Sequence, residues 1–354
     1  MRSPGEMLLS TLAPQVRHRQ NALRYRGNRD AAVSPLTVGP RRNSTAAFRD
    51  HAADGPPTGP PQEGARGDVT GVPPMSAILL PEQLTSQQTT LLSRAANALA
   101  TEAESDLLDA SGVKTFGPLS MVALALAAAR RKRAGLSAVD LRRPQDEQAA
   151  AYLDEVGFSR LLAGEDPSRR GADTLEIRQM TTHDRMYTER IADVLVGNVE
   201  GYDENASHLI HLCLNELLQN VFEWAHSPEG AMVHCRWYRK MANVRIAVAD
   251  SGVGIPEALR QRFAHQSDAE VIAAAVTREG LSSSPHSSRG LGLKLIKDIV
   301  TSRNGTLTVI SHTGLVVFGP GATVRKRRCE AVVGTAIEID FRPHVDVRSP
   351  EAML

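Results

Sequence analysis

Ten of the 20 prolines lie in residues 1–74, a stretch that also holds ten arginines and no lysine. Pro56, Pro57, Pro60, Pro61, Pro73 and Pro74 interrupt any helix or strand there, because proline lacks a backbone N–H and fixes φ. No period of 2 or 3.6 is sustained, so the stretch cannot bury enough apolar surface to offset its backbone entropy. A disordered N-terminal extension is therefore expected over 1–74. Its Arg-, Pro-, Gly- and Ala-rich composition resembles translated GC-rich upstream DNA, so Met75 is the expected true start. The apolar beginning, Met7 to Leu12, is cut short by Pro14 and Arg17 and makes a poor signal peptide.

The rest of the 354-residue chain has room for two domains. Hydrophobic residues are 42% and charged residues 23%, the balance of an ordinary soluble protein. No apolar run of about 18 residues occurs, so no membrane-spanning helix is expected. The extension carries +4, which leaves about −3 for residues 75–354 of a chain whose formal net charge is +1. A general electrostatic footprint for nucleic acid or anionic membrane is therefore missing. Aromatics are only 4%, which argues against stacking platforms for single strands. Cys213, Cys235 and Cys329 form no CxxC pair. A reducing, cytoplasmic setting without a structural zinc is expected.

Two modules are legible after Met75. In 75–165, strands are expected at Ser76–Pro81, Ser105–Ser111 and Leu136–Leu141. Helices are expected at Gln83–Ala100, Leu119–Arg133 and Glu147–Val156. This alternation is that of a small α/β module. In 174–343, TLEIRQM (Thr174–Met180) reads as a strand, and Met186–Val199 and Ser207–His226 read as helices. Strands Gly230–Arg239 and Asn243–Ala249 follow, then helices Ala269–Thr277 and Leu291–Ser302. Strands Gly305–Ile310, Leu315–Phe318 and Ala336–Phe341 complete it, with RKRR (Arg325–Arg328) placed at a hairpin tip. Residues 344–354 form a C-terminal tail. The hairpins favour an α/β sandwich on an antiparallel or mixed sheet.

Three clusters of the second module carry chemistry. In NELLQN (Asn215–Asn220), Glu216 and Asn220 share one helix face a turn apart. A carboxamide oxygen suits Mg²⁺, which takes oxygen ligands, and a carboxylate can accept a proton from a water or hydroxyl. Alone, the pair is equally the polar side of an amphipathic helix. In ADSGVGIP (Ala249–Pro256), Asp250 ends a strand, and Gly252 and Gly254 let backbone approach a planar ligand. Alone, this is equally a tight turn into a helix. In SSRGLGLKLIKDIV (Ser287–Val300), Gly290 and Gly292 open a helix whose amides and dipole attract phosphate, with Arg289 and Lys294 as countercharge. Alone, this is equally a glycine-capped loop.

In that order the clusters resemble the N, G1 and G2 boxes of the histidine-kinase-like ATPases (GHKL, HATPase_c), with Gly334–Thr335 similar to the family's terminal GT element. The resemblance spans Thr174–Pro343. It implies a two-layer α/β sandwich holding ATP between helices and sheet. Asn220 would hold Mg²⁺, Asp250 would take the adenine amino group, and Gly252 and Gly254 would admit the nucleotide. Arg289, Gly290 and Gly292 would form a lid over the phosphates, with Lys294 beside it. Thr335 would lie behind the adenine, Glu216 would be the general base, and Glu223 would support the metal water.

The front module is similar to STAS domains, the fold of anti-anti-sigma factors. The likeness rests on Asp109 ending a strand, Phe116, the Ala-rich helix and YLDEVGF (Tyr152–Phe158). STAS switches carry a phosphorylatable serine near the position of Ser120, but here Gly117–Pro118 precede it and the usual acidic neighbour is missing. His183 lacks a phosphoacceptor motif, and His208 and His211 have no completing metal ligands. The resemblances imply a Mg·ATP-dependent serine/threonine kinase switch of the anti-sigma-factor type, acting on a STAS-type protein. A non-catalytic ATP-gated interaction module and a dimeric ATPase stay open, as does a homodimer.

Overall fold

The computed structural model describes residues 77–102, 106–163, 175–197, 204–238, 241, 243–278 and 292–342. The extension over 1–74 and the C-terminal tail lie outside these residues. Val72–Leu354 forms one compact unit.

The N-terminal part begins with β1 (Ala77–Leu79), β2 (Gln83–Leu84) and α1 (Thr89–Thr101). Next come β3 (Leu107–Asp109), β4 (Thr115–Phe116) and α2 (Pro118–Arg133). It closes with β5 (Asp140–Arg142), α3 (Glu147–Glu155) and α4 (Phe158–Leu162). Strands β1, β3 and β5 form a parallel sheet in that order, and β2 pairs with β4. Pro118 starts α2 and four cations fill its last turn, which suits both ends of the helix dipole. Asp146 caps α3, its carboxylate accepting from Ala149 N at 2.9 Å.

Two boundaries differ from expectation. Gln83–Gln88 is not helical. Its first two residues pair with Thr115–Phe116, and Thr85 Oγ1 donates to Gln88 Oε1 (2.8 Å) in a local turn. The expected strand at Leu136–Leu141 is displaced to Asp140–Arg142, because Gly135 follows α2 at φ 74° and the chain needs the next residues to turn. Ser120 is fully buried and donates to Leu84 O at 2.8 Å, so in this packing no kinase reaches its hydroxyl.

The C-terminal part runs β6 (Arg178–Met180), α5 (Arg185–Gly197), α6 (Glu204–Asn220), a π-helical turn (Val221–Ala225), β7 (Ala231–Tyr238) and β8 (Asn243–Asp250). It continues with α7 (Ile255–Ala258), α8 (Asp268–Thr277), α9 (Gly292–Ser302), β9 (Thr306–Phe318) and β10 (Val324–Phe341). The five strands form one antiparallel sheet, ordered β6-β7-β8-β10-β9. The two strands expected at Gly305–Ile310 and Leu315–Phe318 are one strand. Arg325–Arg328, expected at a hairpin tip, lies inside β10 paired with Gly314–Val317 of β9. The tip is the shorter Gly319–Thr323, closed by Gly319 N donating to Thr323 O at 2.8 Å.

Both faces of this sheet are buried. Val244, Ile246 and Val248 of β8 face the core shared with α5, α6, α8 and α9. Ala247 and Ala249 face α2 and the rest of the N-terminal core. The expected two-layer sandwich therefore gains a third layer. The physical reason is α2, buried from Pro118 to Ala128 except at Ala123, since a helix apolar all round must be covered on all sides. Glu338 of β10, itself buried, accepts from Leu119 N (3.0 Å) at the start of α2. It thus satisfies an amide that the helix cannot pair internally.

Candidate functional site

Helix α6 buries Leu214, Leu217 and Leu218, which turns Glu216 and Asn220 toward α9 and the end of β8. Glu216 is buried, and a Cβ at Gly292 would overlap its carboxylate. Any larger residue there would push the Glu216 carboxylate aside. Asn220 is half-buried and its Nδ2 has no hydrogen-bond partner among the described residues. Glu223 is exposed and accepts from Gln219 Nε2 at 2.8 Å. The helix then widens into the π turn, a form frequent at functional sites, which brings Trp224 and Ala225 to the same cavity as Asn220.

Asp250 ends β8. Its Oδ1 accepts from Gly252 N at 2.8 Å, and the Thr335 amide also bonds to its carboxyl. Burial outweighs these bonds and pushes its pKa up to about 6. Gly252 has no room for a Cβ against the Ala225 carbonyl, which accepts from Val253 N at 2.8 Å. Gly254 takes φ 75°. Strand β9 steadies this loop. Ser311 Oγ accepts from Ile255 N (3.0 Å) and donates to Gly334 O (2.8 Å), while His312 Nε2 bonds Val253 O at 3.0 Å. Gly334, at φ 76°, sits in a bulge of β10 where a Cβ would strike the Asp250 carbonyl. The bulge brings Thr335 opposite Asp250.

These elements enclose a cavity of about 150 Å³. Of the expected site residues, Asn220, Asp250, Gly254, Gly292 and Thr335 line it together. Glu216, Glu223, Gly252 and Lys294 are not among its lining residues; Lys294 Nζ is 3.0 Å from Asp298 Oδ2. Arg289 and Gly290 lie outside the described residues. The walls that sequence reasoning missed are apolar, chiefly Leu217, Val221, Trp224, Ile255 and Ile337. Trp224 was findable, since it falls four residues after Asn220 on the same helix face. Among the described residues of the lining, Asp250 is the one that carries a charge.

A cation would find few protein ligands here. Among the described residues no three His, Cys, Asp or Glu side chains could hold a metal together. His211 is an internal partner of Asn215 (2.6 Å), and burial lowers its pKa. Asn220 brings a carboxamide oxygen to the cavity, which fits Mg²⁺ held by one protein oxygen, ligand phosphates and water, the usual manner of that ion.

Residues 205–341 match the family described as "Histidine kinase-, DNA gyrase B-, and HSP90-like ATPase". The protein named "Probable sensor histidine kinase TcrY", from Mycobacterium tuberculosis, is 31% identical over 109 residues, 31% of this chain and 21% of that protein. Sensor histidine kinase TmoS of Ectopseudomonas mendocina is 33% identical over 103 residues, 28% of this chain and 9% of that protein. The chain thus spans about a fifth or less of these two relatives. The ATPase region of Saccharomyces cerevisiae topoisomerase II is 11% identical, with TM-score 0.27, covering 46% of this chain and 50% of that one. On the family match, residues 205–341 form a histidine-kinase-like (GHKL, HATPase_c) ATPase domain.

Proposed function

We propose that this domain binds Mg·ATP, with adenine in the cavity and its amino group donating to Asp250. The carrying observation is an apolar cavity in which, among the described lining residues, the single charge belongs to a buried carboxylate. Such a site takes a flat, largely apolar ring with one exocyclic donor. Asn220 would ligate Mg²⁺, and the start of α9 with Arg289, Gly290 and Lys294 would meet the phosphates. We further propose a cytoplasmic kinase switch of the anti-sigma-factor type, in which Glu216 accepts the proton of a serine hydroxyl on a STAS-type protein. The motif order and the STAS-like features around Asp109, Phe116 and Tyr152–Phe158 support that reading.

A second reading is an ATP-gated interaction module. It is favoured by the contact of Glu216 with Gly292, which engages the acid at the helix start rather than leaving it in the cavity. Incubation with labelled ATP and Mg²⁺, with and without STAS-type proteins, separates the two. Label on a serine supports the kinase. Free phosphate alone marks an ATPase, and binding without turnover marks the module. Asp250→Asn abolishes binding; unchanged ATP binding by that variant refutes the site.

A further inference from the structure

The peptide that carries Asp250 is held from behind by Glu229 and Ser227 of the C-terminal part, and Glu229 in turn meets the N-terminal part. Ser251, the next residue, donates its hydroxyl to Glu229 Oε2. Its amide donates to Ser227 Oγ at 3.1 Å, and Ser227 Oγ donates to Gly230 O at 2.6 Å. Glu229 is buried, 7% exposed, and its own carbonyl accepts from Gln179 Nε2 at 2.8 Å. Its second carboxylate oxygen lies 3.6 Å from Arg133 Nη1, in the last turn of α2. Arg130, one turn earlier and half-buried, also feels the Glu229 charge.

Two more observations place α2 directly behind the site. A second cavity, of about 40 Å³, lies between α1, α2 and the sheet, and its lining includes Arg130, Asp250 and Thr335. The last two therefore back onto both cavities. At its other end α2 is fixed by Glu338, through Leu119 N. The helix is thus gripped at both ends by carboxylates of the C-terminal part, and one of those carboxylates holds the residue beside Asp250.

We propose that Glu229 is a positioning residue for Asp250, and that the α2 cation Arg133 sets its geometry, so that the N-terminal module tunes ligand affinity. This rests on the ATP reading above. Any change that moves the last turn of α2 alters the pull on Glu229, the tilt of Ser251 and hence the angle at which Asp250 meets an adenine. Coupling between two sites is reciprocal, so filling the nucleotide cavity also tightens the module.

The test is a double-mutant cycle in the full chain with Arg133→Ala and Glu229→Gln. Glutamine still accepts the Ser251 hydroxyl but carries no charge. Each single variant is expected to raise the Kd for Mg·ATP about fivefold, the double variant no further, and Arg133→Lys to restore affinity. Without nucleotide, amide hydrogens of Ser251–Gly254 exchange faster in Arg133→Ala than in wild type, at an unchanged Tm. Wild-type affinity in the singles, additive effects in the double, or unchanged exchange overturns the relay. A wild-type chain that binds no ATP refutes the ATP site instead, while the exchange measurement still judges the relay.

Discussion

Asp250 carries a conflict that a single atom resolves. Its pKa is raised from 3.8 to about 6 by burial, so the folded chain holds this proton more tightly than the unfolded chain. The penalty for ionising it is absent below about pH 4, grows as pH rises to about 6, and is complete above that, at about 3 kcal/mol. Asp250→Asn removes the charge and keeps the shape. The variant is expected to melt higher than wild type at pH 7.5 and at the same temperature near pH 4, as thermal scans at the two values measure. A variant less stable than wild type at pH 7.5 contradicts this. On the proposed ATP reading, the residue is one that ligand recognition retains against stability. Its place in the cavity was legible in the sequence from its position at a strand end before two glycines. The relay behind it was not, because Arg133 and Glu229 are far apart in the chain and nothing local ties them.

At the scale of elements, β10 shows what charge patterning hides. Among the described residues, Val324 to Val332 pairs with β9 alone, since pairing with β8 starts at Thr335. Arg325, Lys326, Arg327 and Arg328 are all exposed along that length. A strand edge with open backbone groups invites pairing with another chain, and charge is a common guard against it. Lys326→Thr with Arg328→Thr is expected to leave stability within about 0.5 kcal/mol of wild type and to cause self-association that grows with concentration. Light scattering measures this, and an unchanged mass would exclude the guarding role. Four cations in a row suggested a solvated tip because strands seldom show such runs. Helix α2 was legible almost to the residue, because Pro118 and the terminal cations mark its ends. Helix α1 was not, since Leu84 continues its apolar spacing although Gln83 and Leu84 belong to a strand pair.

Among the described residues, the N-terminal part and one face of the C-terminal sheet share a core. Met232, Ala247, Ala249 and Ile310 of the sheet sit in the same core as Leu119, Val122 and Leu126 of α2. Neither part can unfold without exposing the other, so calorimetry is expected to show a single transition for residues 77–342 with equal calorimetric and van't Hoff enthalpies. Two separated transitions would contradict the shared core. The alternation of elements was legible, and the covering of the sheet was implicit in the even apolarity of LSMVALALAAA; the two modules expected from that alternation pack into one compact unit. What that helix covers is set by complementary shape: Ala247 and Ala249 leave room for it, and alanines in a strand announce no partner.

Synthesis of this chain runs from the N-terminus, which gives the Leu119–Glu338 bond a temporal meaning. The two residues are separated by 219 positions. Helix α2 emerges from the ribosome long before β7, β8 and β10 exist to cover it. Until the last strand is made, an apolar helix waits with one side in water. Contacts of such long range slow folding and prolong exposure of sticky surface. A nascent chain stopped just short of β10 should therefore be the species that chaperones hold longest.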